Sequence, residues 1–148
     1  MPKKVLLNSK KIDIILNRLV CQLVENHKDF NDTVLIGLQP RGTFLIEKIL
    51  EIFKKKYPKI NISSGILDFT FFRDDFRRSE KTLKASSTQI NFSIENKNVV
   101  LIDDVLFTGR SIKAAMSSMD SYGRPNSIEL LVLIDRRYKR EIPIQANY

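Results

Sequence analysis

The chain has 148 residues, and its 43% hydrophobic and 28% charged content suits one globular domain rather than a disordered or fibrous protein. A formal net charge of +8 favours anionic partners such as phosphates, nucleotides or RNA, although a solvated basic surface explains it equally well. A single cysteine and a single histidine exclude an internal disulfide and a zinc or iron–sulfur ligand set.

The sequence also predicts the cellular location of the protein. No apolar run approaches the ~18 residues that cross a bilayer, so we expect no contact with a membrane. The first residues, "MPKKVLLNSKK", have no apolar segment or cleavage site of a signal peptide. Because one cysteine suits a reducing compartment, we expect a cytoplasmic protein.

The first half of the chain predicts a helix, a strand and a second helix. Residues 9–27 carry apolar side chains at helical spacing, with Asn8 or Ser9 as the candidate N-cap. Residues 33–38 form a short apolar run, which indicates a strand, and the tight loop "QPRG" follows. Residues 43–57 return to helical spacing.

The second half predicts strands separated by a long connection and a helix. Residues 60–72 are rich in β-branched and aromatic residues, which favours a strand or hairpin arm. Residues 73–97 form a polar connection whose length is typical of functional or mobile segments. Residues 98–104 and 127–135 indicate buried strands on either side of a helix at 109–123. This order predicts an α/β fold with a mostly parallel sheet.

The stretch "VVLIDDVLFTGRS" contains a buried strand followed by candidate ligand-binding residues. Asp103 and Asp104 come at the carboxyl end of the strand, where ligands bind in open α/β sheets. Residues 108–111 open the next helix, whose unpaired N–H groups attract an anion. Ionised carboxylates accept hydrogen bonds from neighbouring hydroxyls such as those of ribose. The stretch therefore predicts a ribose-phosphate site; an acidic strand end followed by an N-capping threonine is the alternative explanation.

The same stretch resembles the phosphoribosyl-pyrophosphate (PRPP) binding motif of type I phosphoribosyltransferases. The stretches "GLQPRG", "LDFTFFRDDF", "SYGRPNSIELLVLIDRR" and "REIPIQANY" extend the similarity over nearly the whole chain. Together they resemble the bifunctional family of pyrimidine-operon attenuation proteins and uracil phosphoribosyltransferases. The resemblance implies one domain, 1–148, with the type I fold: a mostly parallel central sheet flanked by helices, a small hood, and a flexible loop at about 73–97. Because the family continues past the final "NY", we expect a truncated C-terminal hood segment.

The resemblance also implies roles for individual residues. The catalytic residues it implies are Asp103, Asp104 and Arg73. The residues implied to bind PRPP and its phosphates are Arg41, Gly42, Val105, Leu106, Phe107, Thr108, Gly109, Arg110 and Ser111. Those implied to bind the base are Asp135 and Arg136, and those implied to contact RNA are Arg18, Lys139 and Arg140.

The implied reaction joins uracil to the ribose of PRPP, giving UMP and diphosphate, with Mg²⁺ bound together with PRPP. The implied regulation uses the same pocket for UMP or UTP and a basic face for the leader of a pyrimidine messenger RNA, in a dimer or larger homo-oligomer. Asn17 and Cys21 stand where RNA-binding members commonly carry Thr and His, so we favour the transferase. The alternatives are an RNA-binding attenuator with little enzymatic activity and a phosphoribosyltransferase for another base.

Overall fold

The computed structural model describes residues 2–69 and 88–148. The predicted catalytic residue Arg73 and most of the predicted loop at 73–97 lie outside the described residues. Within residues 88–97 the backbone is irregular, and Gln89 makes an isolated antiparallel bridge to Ile66. The predicted flexible loop and hood stay predictions.

The described part of the chain contains three α-helices, four strands and two short 3₁₀ turns. In chain order these are α1 Ser9–His27, β1 Thr33–Leu38, α2 Gly42–Lys56, β2 Ser63–Leu67, β3 Asn98–Leu106, α3 Arg110–Met119, the turn Asp120–Tyr122, β4 Ser127–Asp135, and the turn Arg137–Lys139. The predicted cap of α1 is confirmed, because the Asn8 side chain accepts a hydrogen bond from the Lys11 N–H at 2.9 Å.

The four strands form one parallel sheet in the order β2-β1-β3-β4. The chain leaves β1 in one direction to reach β2 and later returns to place β3 on the other side of β1. The carboxyl ends of β1 and β3 therefore face a crevice at the point where the strand order reverses, which is where ligands bind in sheets of this kind. The predicted α/β fold with a parallel sheet is confirmed.

The side chains of the sheet alternate between two apolar cores, because successive residues of a strand point to opposite faces. On one face, Leu35 and Val100 pack with the apolar sides of α1 and α2. On the other face, Ile36 and Leu101 pack with α3 and with Ile94 from the irregular segment. Helices thus cover both faces of the sheet and leave its carboxyl edge for the site.

Three predicted elements, β2, β3 and α3, end at other residues than expected. Strand β3 runs to Leu106 rather than to 104, because its pairing with β4 continues through Val105 and Leu106. Helix α3 ends at Met119 and gives way to the turn Asp120–Tyr122, after which Gly123 adopts a φ of 124°. Strand β2 is shorter than predicted, since its pairing with β1 spans only Ser63–Leu67.

None of the described helices is both long and apolar enough to cross a membrane.

Candidate functional site

The predicted acid pair occupies the last part of β3, and each carboxylate is held by a backbone amide. The Asp104 N–H donates to Asp103 Oδ1 and the Val105 N–H donates to Asp104 Oδ1, both at 2.8 Å. Burial raises the pKa of Asp103 to about 7, and the hydrogen bond and charge of the Asp104 side chain add to that rise. The backbone amide of Asp104 and the charge of Arg41 act in the opposite direction.

The loop after β1 brings a cation to this pair. Arg41 Nη1 lies 3.7 Å from Asp104 Oδ2, and the Arg41 side chain is 78% exposed, so a ligand can reach it from the solvent. The next residue, Gly42, is buried at the start of α2. A Cβ at this position would lie 2.3 Å from the carbonyl oxygen of Ile102 in β3. Glycine is therefore required here by the contact between helix and strand, whatever the ligand.

The predicted phosphate loop ends at the N-terminus of α3. Gly109 caps this helix with a φ of 92°, and Thr108 Oγ1 accepts a hydrogen bond from the Arg110 N–H at 3.3 Å. Ser111 is half-buried in the first turn. The first amides of a helix have no partner within it, so this arrangement suits a phosphate. Arg110 Nε pairs with Glu141 Oε2, an ionic contact that the sequence did not predict.

Two of the residues predicted to contact phosphate, Val105 and Leu106, precede the loop that opens α3. Both belong to β3, and the Leu106 side chain is 1% exposed within the core below α3. A phosphate contact of Leu106 would therefore come from its backbone and not from its buried side chain. Phe107 follows the strand, and its ring stacks under the guanidinium of Arg136 at 4.0 Å. The Phe107 side chain therefore joins the loop to the segment after β4.

The two predicted base-binding residues stand at the end of β4. The Asp135 carboxylate accepts a hydrogen bond from Arg140 Nη2 and lies 3.8 Å from Arg137 Nε. The Arg136 N–H donates to the Leu106 carbonyl at 2.8 Å. A cavity of about 780 Å³ opens beside Asp135, within the range of roughly 300–1,000 Å³ found for small-molecule sites. Its lining residues are Asp135, Arg137, Arg140, Pro143, Ile144, Gln145 and Ala146.

The three predicted RNA contacts have different surroundings. Arg18 is exposed on α1 and lines a groove that also contains Asn17 and Cys21. Lys139 is exposed in the turn after β4. The Arg140 side chain, in contrast, is only 19% exposed and donates to Asp135 and to the Phe107 carbonyl. Its charge is therefore engaged within the protein, beside the predicted base site rather than on an open surface.

Sequence reasoning did not single out Arg137 or Glu141, which line the cavity and pair with Arg110, respectively. Charged residues in an irregular segment carry no periodicity, so only their contacts reveal them. Among residues 2–69 and 88–148, no group of three or more His, Cys, Asp or Glu side chains could hold a metal ion without help from a ligand.

Comparison with known proteins identifies the family. The model of the phosphoribosyl transferase domain matches residues 3–146. The bifunctional protein PyrR of Enterococcus faecalis is 39% identical over 148 residues, which is all of this chain and 82% of that protein. PyrR of Caldicellulosiruptor bescii is 40% identical over 145 residues, 98% of this chain and 79% of that protein.

Solved structures show the same fold at lower identity. A hypoxanthine phosphoribosyltransferase from Staphylococcus aureus superposes with a TM-score of 0.75 at 24% identity, covering 99% of this chain and 75% of that one. The enzyme from Trypanosoma cruzi gives a TM-score of 0.75 at 16% identity, with 99% and 79% coverage. The chain belongs to the phosphoribosyl transferase domain family and, within it, to the bifunctional PyrR proteins.

Proposed function

We propose that this chain transfers the phosphoribosyl group of PRPP to uracil, forming UMP and releasing diphosphate. The observation that carries the proposal is the meeting of Arg41, from the loop after β1, with Asp104 in β3, at 3.7 Å. Membership of the PyrR proteins and the sequence resemblance support uracil as the base. We also propose that residues 1–148 act as a single domain in the cytoplasm and that the active species is a dimer or a larger homo-oligomer.

The acid pair would bind the ribose. Ionised carboxylates accept hydrogen bonds, so Asp103 and Asp104 suit the two neighbouring hydroxyls of PRPP. The N-terminus of α3, at Gly109–Ser111, would hold the 5′-phosphate through amides and hydroxyls. Arg41 would bind the departing diphosphate, because the planar guanidinium can bond two phosphate oxygens at once.

The base would enter the cavity beside Asp135. Uracil carries N–H donors and carbonyl acceptors, which match a carboxylate and neighbouring arginine N–H groups. Asp135 is held in place by Arg140, so its acceptor oxygens have a fixed direction. A different base with the same pattern of donors and acceptors would satisfy this site, which makes another base the main alternative substrate.

The reaction breaks the bond between ribose C1 and the diphosphate oxygen and forms a bond between C1 and a uracil nitrogen, whose proton passes to the departing diphosphate or to water. Positive charge develops on the ribose ring between these two events, and the acid pair would stabilise that charge. Mg²⁺ prefers oxygen ligands and keeps several waters, so Asp103 or Asp104 together with oxygens of PRPP would hold it, and it would neutralise charge on the diphosphate.

The test is UMP formation from uracil, PRPP and Mg²⁺. We expect activity in the wild-type protein and a loss of about a hundredfold or more in Asp104→Asn, since that change removes the charge and one acceptor. Arg124→Gln is the control, because Arg124 is exposed beside the amino end of β4, at the opposite edge of the sheet. A folded wild-type protein that converts another base but not uracil would refute the choice of substrate.

We propose as a second function that the chain binds RNA of a pyrimidine messenger leader when UMP or UTP occupies the site. The turn Arg137–Lys139 supports this, because Tyr138 is fully exposed between two exposed cations, and aromatic and basic groups together suit unpaired RNA bases. We expect UMP-dependent binding of a leader RNA, weakened by Lys139→Ala and Arg18→Ala. Binding that ignores UMP and disappears with added salt would indicate non-specific charge.

A further inference from the structure

The phosphate loop, residues 106–111, is tied to the segment after β4 by three consecutive carbonyl groups. We call this segment, residues 136–142, the strap. The Leu106 carbonyl accepts from the Arg136 N–H at 2.8 Å, and the Phe107 carbonyl accepts from Arg140 Nη1. The Thr108 carbonyl accepts from two amides of the strap, at residues 141 and 142, both at 2.9 Å.

These bonds fix the direction of the loop. A carbonyl oxygen carries partial negative charge and repels a phosphate, whereas an amide N–H attracts it. Because the carbonyls of residues 106–108 are bonded to the strap, they are held away from the crevice at the N-terminus of α3. The close approach of Gly109 to Ile142, where a Cβ would have only 3.1 Å, shows how tightly loop and strap fit.

The Arg140 side chain forms hydrogen bonds to both halves of the site. One end of its guanidinium donates to the Phe107 carbonyl and the other donates to the Asp135 carboxylate. The side chain is 19% exposed, so these bonds are partly shielded from water and stronger than on an open surface. The planar guanidinium can make both bonds at once, which a lysine ammonium at the end of a flexible stem cannot match in geometry.

We propose that Arg140 is a positioning residue that links the phosphate side of the active site to its base side. The Arg140 guanidinium keeps the Phe107 carbonyl pointing away from the phosphate, and it directs the Asp135 carboxylate toward the base. The inference rests on the proposed transferase function. It gives Arg140 a role different from the RNA contact that the sequence resemblance implied.

The test compares Arg140→Gln, Arg140→Lys and Asp135→Asn with the control Arg124→Gln, using KM for each substrate, kcat, melting temperature and calorimetric binding of UMP. Loss of a hydrogen bond to a charged group predicts that Arg140→Gln raises KM for both PRPP and uracil by about tenfold or more. Arg140→Lys should give intermediate values, and Asp135→Asn should raise KM for uracil alone. The control should match the wild type.

Two results obtained with an active wild-type protein overturn the proposal. If Arg140→Gln lowers the melting temperature and kcat but leaves both KM values unchanged, Arg140 is structural only. If its kinetics equal those of the wild type while leader RNA binding is lost, Arg140 is an RNA contact. A wild-type protein that is inactive with uracil refutes the proposed substrate. UMP binding then tests the role of Arg140 separately. Weaker UMP binding by Arg140→Gln supports the positioning role, while binding equal to that of the wild type, or no UMP binding by the wild type, overturns it.

Discussion

Replacing Gly42 by alanine perturbs the fold and the site through a single methyl group. The added Cβ would lie 2.3 Å from the Ile102 carbonyl oxygen and 3.5 Å from Asp103 Cα. Real Cβ contacts essentially never fall below 3.0 Å, so the start of α2 must move away from β3 by about 0.7 Å. The opposing atom belongs to the backbone of a central strand and cannot rotate aside.

The size of the effect follows from this overlap. Overpacking of a well-packed core costs about 1–3 kcal/mol of unfolding free energy. For a chain of this length, each kcal/mol lowers the melting temperature by about 2–4 °C, so we expect a fall of roughly 2–12 °C. The shift also moves Arg41 relative to Asp104, and a displacement approaching 1 Å in an active site costs up to about a hundredfold. We therefore expect kcat/KM for PRPP to fall by about ten- to a hundredfold.

Calorimetric unfolding and steady-state kinetics with PRPP and uracil measure both effects. Glu47→Ala is the matched control, because Glu47 is exposed on the same helix and its replacement adds no atom near β3. We expect the control to unfold and react like the wild type within error. A Gly42→Ala protein with wild-type melting temperature and kcat/KM would show that the helix and strand adjust freely, and the packing argument would be wrong.

Four further predictions concern titration and single contacts. Burial raises the pKa of Asp103 to about 7, and the proposed contact with ribose needs the ionised carboxylate. We therefore expect kcat/KM for PRPP to fall about tenfold per pH unit below pH 7 in the wild type but not in Asp103→Asn. From pH 4 to 7 the folded state keeps a proton that the unfolded chain has lost, so this group should make unfolding easier as the pH rises, as urea titrations will measure. Glu141→Gln should lower the unfolding free energy by less than about 1 kcal/mol, since both partners of its pair with Arg110 are half-exposed; a larger loss contradicts this. Tyr148→Phe removes the acceptor of a 2.7 Å hydrogen bond from Asn26 and should cost about 1 kcal/mol in thermal unfolding, with unchanged stability as the contrary result.

Local patterns in the sequence predicted the fold well. Both ends of α1, β1 and β4 agree with the prediction, because apolar spacing and capping are properties of neighbouring residues. The end of β3 could not be predicted in this way, since two aspartates are typical of a strand terminus. Pairing with β4 carries the strand on to Leu106, and that pairing is a long-range contact.

The site residues also divide into those that local sequence predicted and those whose surroundings only the structure shows. Residue type and order predicted the acid pair and the loop that opens α3, because that chemistry is local. Gly42 and Arg140 show what sequence cannot decide. The glycine was predicted to bind PRPP, and the structure shows in addition that it packs against β3. The arginine was predicted to contact RNA, yet its guanidinium is engaged by Asp135. The residue type alone does not show whether a charged side chain faces the solvent or the interior.

Two adjacent carboxylates at the end of an apolar strand are an electrostatic cost to the protein without its substrate. The structure limits that cost in two ways: burial favours the protonated form of Asp103 near neutral pH, and Arg41 lies close to Asp104. Neither arrangement satisfies both carboxylates as fully as ribose hydroxyls and a cation would. If PRPP binds here as proposed, part of its binding free energy would come from removing that unfavourable interaction.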